Sequence, residues 1–195
     1  MLVNGKGATA MTDLRIKRTE RAIKQSFIEL VLQVGFEHVS IQTLADAAMI
    51  NRQTFYAHYA DKYQLAERLI AAFVEDMDQL FAKRMQTADA KLNLADSSAS
   101  LLPLIDALYI QRNDEVRALR TIVLPNQLGL DAAIQTRITN IFKLYDSTKT
   151  LTPFQLEVDV ALVMTILNHT IATKQLPDLV EVQTAVKKVA RLFNV

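Results

Sequence analysis

Two residues that start helices, Ser40 and Asn51, stand so close together that only one short helix and a tight turn fit between them. Each carries a side-chain oxygen able to accept from a first-turn backbone N–H that otherwise lacks a partner. After Ser40, the residues Ile41, Leu44, Ala45 and Ala48 recur with a helical period, so this helix is expected to end near Ala48. After Asn51 another short helix is expected from Arg52 to about Tyr59. Upstream, Ile23, Phe27, Leu30, Val31 and Val34 mark one face of a helix that Gly35 stops, with Phe36 and Val39 placed to pack back on it. Downstream, Asp61 can cap a long helix carrying Leu65, Leu69, Ile70, Phe73, Met77, Leu80 and Phe81. Two short helices joined by a three-residue turn, held between longer amphipathic ones, form a helix-turn-helix pattern.

The rest of the chain supports an all-α fold. Glycine and proline occur only four times each, half of the residues are hydrophobic, and no β-type alternation persists. Residues 86–99 are polar and alanine-rich and read as a loop or frayed helix. Further helices are expected at about 100–111, 114–124, 131–146, 153–174 and 178–193, punctuated by Pro125, Gly129, Pro153 and Pro177. The expected organisation is a disordered leader over 1–12, a three-helix helix-turn-helix DNA-binding domain over 13–63, and a larger helical dimerisation and regulatory domain over 64–195.

Charge is distributed unevenly. The chain carries a net +1, yet residues 1–24 hold Lys6, Arg15, Lys17, Arg18, Arg21 and Lys24 against Asp13 and Glu20. Such a basic arm on a nearly neutral body is an electrostatic footprint for phosphate, and it also suits a plain solvated tail.

Several function classes find no support. With no cysteine there is no disulfide, thiolate metal site or cysteine nucleophile, which fits a reducing cytoplasm. His38, His58 and His169 share no metal-ligand spacing, and no His-Glu-x-x-His, phosphate loop, nucleophile elbow or dinucleotide fingerprint is present. Gly5-Lys6-Gly7 follows no strand. Neither catalysis, nor a cofactor, nor a metal is expected. The longest apolar stretch, Val160 to Leu167, falls far short of the ~18 residues of a membrane span. No apolar run follows Lys6, so the start does not read as a signal peptide.

The run Ile41-Gln42-Thr43-Leu44-Ala45-Asp46-Ala47-Ala48, then Asn51-Arg52-Gln53-Thr54-Phe55-Tyr56-Ala57-His58-Tyr59, then Asp61-Lys62-Tyr63-Gln64-Leu65, closely resembles the TetR-family DNA-binding domain. The resemblance covers roughly residues 15–70. It implies that Arg52, Gln53 and Thr54 read base edges: Arg to guanine, Gln to adenine, the Thr methyl to thymine. It implies phosphate contacts for Ser40, Thr43, Tyr56, His58 and Lys62, with Arg15, Lys17 and Arg18 reaching phosphates or the adjacent minor groove. Phe55 and Tyr59 are read as core. Met49 stands where the family's turn usually has glycine, and Gln53 stands where a small residue is common.

Beyond about residue 71 no comparable motif exists. The segment Phe154–Leu176 has no clearly polar face through its middle, and a helix apolar all round must be buried on every side. A dimer seam achieves this, with the last helix alongside. Leu162, Ile166, Val182, Val186, Val189 and Phe193 are the expected interface. Tyr109, Phe142, Tyr145, Met164, Asn168 and His169 are candidates for lining an effector pocket. Each also reads as core or interface, and Asn168 and His169 are served equally by a hydrogen bond across a dimer. The expected function is a homodimeric repressor on a palindromic operator that answers to an effector, a small molecule or a protein co-regulator. An activator controlled by a protein partner shares every residue of the DNA-binding domain. A helical scaffold without DNA binding is the alternative of a different class.

Overall fold

The computed structural model describes residues 6–86, 105–125, 129–145 and 152–191, and among these it is helical with no strand. The elements are α1 (Lys6–Val34), a 3₁₀ turn (Phe36–His38), α2 (Ile41–Ala47), α3 (Arg52–His58), α4 (Lys62–Gln86) and a π-helical turn (Asp106–Ile110). They continue with α5 (Asn113–Arg120), α6 (Leu130–Tyr145), α7 (Pro153–Thr173) and α8 (Leu179–Arg191).

The chain divides into two compact units, Met1–Ala72 with Arg117–Leu130, and Phe73–Val116 with Asp131–Val195. The division falls inside α4, later than the expected boundary at 63. The reason is packing: Leu65, Ala66, Leu69 and Ile70 in the first turns of α4 are buried with the N-terminal helices. Residues 117–130, expected in the second domain, group with the first unit, where Ala118, Leu119, Ile122, Leu124 and Leu130 are buried.

In the first unit Ile23, Phe27 and Val31 of α1 are buried, as their helical spacing requires. Phe36 stands edge-on to Phe27 (6.1 Å) and Tyr63 (5.2 Å), so the 3₁₀ turn plugs the top of this core. Gly35 supplies the bend with φ +81°, a backbone conformation that side chains resist. Residues 6–12, expected as leader, are the opening turns of α1; residues 1–5 lie outside the described residues.

In the second unit Phe73, Met77 and Phe81 of α4 are buried, as are Leu108, Tyr109 and Val116, Ile134 and Ile138, and Val160, Leu167 and Ile171. The π turn packs on α7. Buried Asn113 ties the two together, its amide donating to the Ile171 carbonyl (2.9 Å) and the Tyr109 carbonyl (3.3 Å). A π turn replaces the regular helix expected near 111, because Gln111 N donates to Asp106 O. The helix expected over 114–124 stops at Arg120: Thr121 N and its hydroxyl both bond the Ala118 carbonyl, and residues 122–124 are non-helical. The segment expected as a loop lies outside the described residues, except Gln86 at the end of α4.

Helix α7 starts on a capping box between Thr152 and Gln155, with Pro153 as its first residue. It is long and apolar enough, by length and composition, to span a membrane, which the sequence pattern did not anticipate. Only 22% of its most apolar stretch is buried within the chain.

Candidate nucleic-acid interface

The two caps read from the sequence organise the site. Ser40 Oγ accepts from Thr43 N (3.1 Å), and Thr43 Oγ1 accepts from Ser40 N (3.1 Å), closing a capping box at the start of α2. Thr43 also donates its hydroxyl hydrogen to the Ser40 carbonyl (2.9 Å). With the Thr43 hydrogen on that carbonyl, the Ser40 hydroxyl donates to Thr43 Oγ1 (3.0 Å) and has to leave that bond to meet an outside acceptor. At α3, Asn51 Oδ1 accepts from Thr54 N (2.7 Å) and from the Thr54 hydroxyl (2.9 Å). That fixes the Thr54 rotamer and leaves its methyl and oxygen lone pairs as the groups available outward.

The turn between the helices is a Schellman motif: Ile50 N bonds Ala45 O (3.0 Å) and Met49 N bonds Asp46 O (3.1 Å). This geometry demands a left-handed residue after the cap. Met49 supplies it with φ +53° and a side chain 93% exposed. The methionine thus carries left-handed strain without any packing to offset it, at roughly 1–2 kcal/mol.

Helix α3 presents Arg52 and Gln53 to solvent and Thr54 half-exposed, while Phe55 beneath them is fully buried. Tyr56 is 49% exposed, with its ring edge-on to Phe55 (5.7 Å). Tyr59 is buried, in keeping with its expected core role. Its phenol is pushed above the ordinary tyrosine value by burial and then by the charge of Glu20, which Arg68 partly offsets.

Two of the expected phosphate contacts are engaged inside the domain. His58 Nδ1 lies 3.6 Å from Glu20 Oε1, and the histidine side chain is only 14% exposed. The His58 carbonyl accepts from Arg68 (3.3 Å), whose guanidinium lies over the Tyr59 ring (5.2 Å). Lys62 is engaged more fully. Its ammonium donates to the carbonyls of Phe36 (3.0 Å), Glu37 (3.0 Å) and Val39 (3.1 Å), and lies 4.7 Å from the Phe36 ring centroid. An ammonium has three N–H donors, so none is left for phosphate in this arrangement. Arg15, Lys17 and Arg18 are exposed, but on the rigid turns of α1 rather than on a loose arm.

Glu20 and Arg68 were missed by sequence reasoning. Both act across elements, and no local spacing signals that. The Gln42–Asp46 bond (2.8 Å) along α2, at helical i,i+4 spacing, was readable and passed over.

A family model described as bacterial regulatory proteins, tetR family, matches residues 28–69. The chain carries the N-terminal domain of the tetR family. The HTH-type transcriptional regulator TcmR of Streptomyces glaucescens is 28% identical over 90 residues, which is 46% of this chain. The matched part spans 37% of that relative's length. A solved structure from Mesorhizobium loti MAFF303099, described as a TetR-family transcriptional regulator, shares the fold with a TM-score of 0.50. It is 16% identical, over 87% of this chain and 92% of that one.

In the second unit the side chains of five of the six candidate pocket residues are described, and none of the five lines the cavity beside Arg112. Tyr109 is buried edge-on to Phe73 (5.8 Å), Phe142 and Met164 are half-buried, and Asn168 and His169 are exposed. The Tyr145 side chain lies outside the described residues. A cavity of about 350 Å³ is lined instead by Asp76, Gln79, Leu80, Lys83, Ala107, Leu108 and Arg112. Arg112 dominates it, donating to Asp76 (2.6 Å) and, through two nitrogens, to Glu115 (2.9 Å each). Burial works against its charge, but the hydrogen bonds and charges of Glu115 and Asp76 outweigh that and raise it above the ordinary arginine value. Sequence reasoning missed this cavity because its walls come from α4 and the π turn, and α4 gave no sign of a ligand-facing side.

Of the expected interface residues, Leu162, Ile166 and Val182 are half-buried and Val186 and Val189 are exposed. Phe193 lies outside the described residues.

Proposed function

We propose that this protein is a DNA-binding transcription regulator that reads a palindromic operator as a homodimer, acts as a repressor, and works in the cytoplasm. Arg52, Gln53 and Thr54 read bases. Tyr56 and Ser40 hold phosphates, assisted by Arg15, Lys17 and Arg18 on α1. His58 steadies α3 from behind.

The observation that carries the dimer is the state of α7 and α8 in the single chain. Phe154 is 72% exposed, Val158 48%, Val180 67% and Val189 55%. Apolar helix faces of this extent require a cover. A second copy supplies it with the same two helices, giving a four-helix seam. Two reading heads related by a two-fold axis then meet half-sites about one helical turn apart. The embedded Glu157, Asp159, Asn168 and His169 suit such a seam better than a lipid phase.

Effector control belongs to the same reading, with a ligand shifting the balance between binding-competent and incompetent forms. The cavity beside Arg112 is a second candidate seat for it, alongside the six residues chosen from sequence. The test of the whole reading is selection of bound fragments from the source genome by the purified protein at fixed, near-physiological salt. One or a few palindromic sites support it; uniformly weak, salt-sensitive binding counts against it.

A further inference from the structure

We infer that Lys62 is a positioning residue for base reading, whose ammonium stays on protein carbonyls when DNA is bound. The inference rests on the proposed DNA-binding reading and deepens it. The three acceptors sit in and just after the 3₁₀ turn, and the last of them, Val39, directly precedes the Ser40 cap of α2. Lys62 itself opens α4, just past the end of α3. The contact therefore joins residues 23 positions apart, and the closed segment contains α2, the Met49 turn and α3 entire. Both ends of the helix-turn-helix are held by one side chain.

The chemistry makes this hold hard to release. The Phe36 carbonyl already accepts from Val39 N (3.2 Å), while carbonyls at the end of a helical turn, such as those of Glu37 and Val39, carry partial negative charge that a cation satisfies best. The Phe36 and Tyr63 rings add their faces, at 4.7 and 5.7 Å. Moving the ammonium to a phosphate would take this donor from the Glu37 and Val39 carbonyls, the latter in a part-buried bond, and leave the Phe36 carbonyl with the Val39 N–H alone. Exposed cations on α1 reach phosphate without that loss. The angle at which α3 is offered to the groove is thus set by Lys62, which itself contributes no charge to the DNA.

The first readout uses the wild-type protein and NMR of the side-chain ammonium groups. A Lys62 ammonium resonance that is visible in the free protein and unmoved by the selected operator is expected. A shift on DNA binding, with coupling across a hydrogen bond to phosphorus, overturns the inference. The second readout is Lys62→Met, measured at a temperature where circular dichroism shows it folded. Operator affinity is expected to fall about tenfold while non-operator affinity and the salt dependence stay unchanged. A salt slope reduced by about 0.9 per lost contact, with an unaltered melting temperature, overturns it. A wild type that prefers no DNA sequence overturns both readings, and is told apart because failure of the Lys62 role alone leaves wild-type discrimination intact.

Discussion

Arg112 Nη1 lies 2.6 Å from Asp76 Oδ2, yet the two partners of this bond are not equally needed. Asp76 is 50% exposed at its side chain, whereas Glu115, the other partner of Arg112, is 9% exposed and bound through both oxygens. Removing the arginine leaves a nearly buried carboxylate without its forked donor; removing Asp76 leaves the fork in place. Arg112→Met is therefore expected to cost about 3 kcal/mol in urea unfolding, and Asp76→Asn under about 1 kcal/mol. Equal losses would show that the bond to Asp76, not the fork to Glu115, carries the stability.

Met49 is expected to be replaceable at a gain. Glycine relieves the left-handed strain, roughly 1–2 kcal/mol, and gives back part of it through greater freedom of the unfolded chain. Because the methionine side chain is 93% exposed, no packing is lost. Met49→Gly should unfold at the same or a higher temperature than the wild type, and Met49→Val, β-branched at positive φ, clearly lower. A clear loss with glycine would show that the side chain makes a contact that matters.

Asp159 gives a pH dependence with a definite sign. Burial on α7 raises its carboxyl above the ordinary aspartate value. The folded chain then holds the proton more tightly than the unfolded one, so stability falls as pH rises from the unfolded value through the raised one. Asp159→Asn should flatten the unfolding curve over that window and increase stability above it. A wild-type stability that rises with pH there, with the rise abolished in the variant, would reverse the assignment.

The proposed seam predicts a concentration-dependent dimer. Sedimentation should give twice the chain mass of 21.9 kDa for the wild type. Val158→Glu combined with Val186→Glu should give the single chain, since each charge would have to be buried against its own copy. A wild type that sediments as one chain would remove the dimer from the account.

How much of this was readable from sequence follows physical range. Ser40, Asn51 and Asp61 were legible, because a cap acts over three residues, and Asp61 does accept from Gln64 N (2.8 Å); the Thr152 cap was passed over. Met49 was singled out through the resemblance, as standing where the family's turn usually has glycine, and it is left-handed. The partners of Lys62 and His58 within the chain were not legible. A surface-type residue in a DNA-contact motif gives no hint that its partners stand on the 3₁₀ turn or on α1. The division of the chain inside α4 was not legible for a related reason: the helical period of α4 runs unbroken from Leu65 to Phe81, so periodicity cannot say where one core ends and the next begins. The cavity escaped because its walls are far apart in sequence.

The most direct test of the central claim is binding of one genomically selected site, compared with unrelated DNA at the same salt, by the wild type and by Arg52→Ala. Arg52 is exposed, so its loss should not disturb the fold. The account predicts that the variant keeps wild-type melting and near-wild-type binding to unrelated DNA. Its affinity for the selected site should drop by roughly 1–3 kcal/mol per half-site contact. A variant that binds the selected site as tightly as the wild type would contradict base reading by α3.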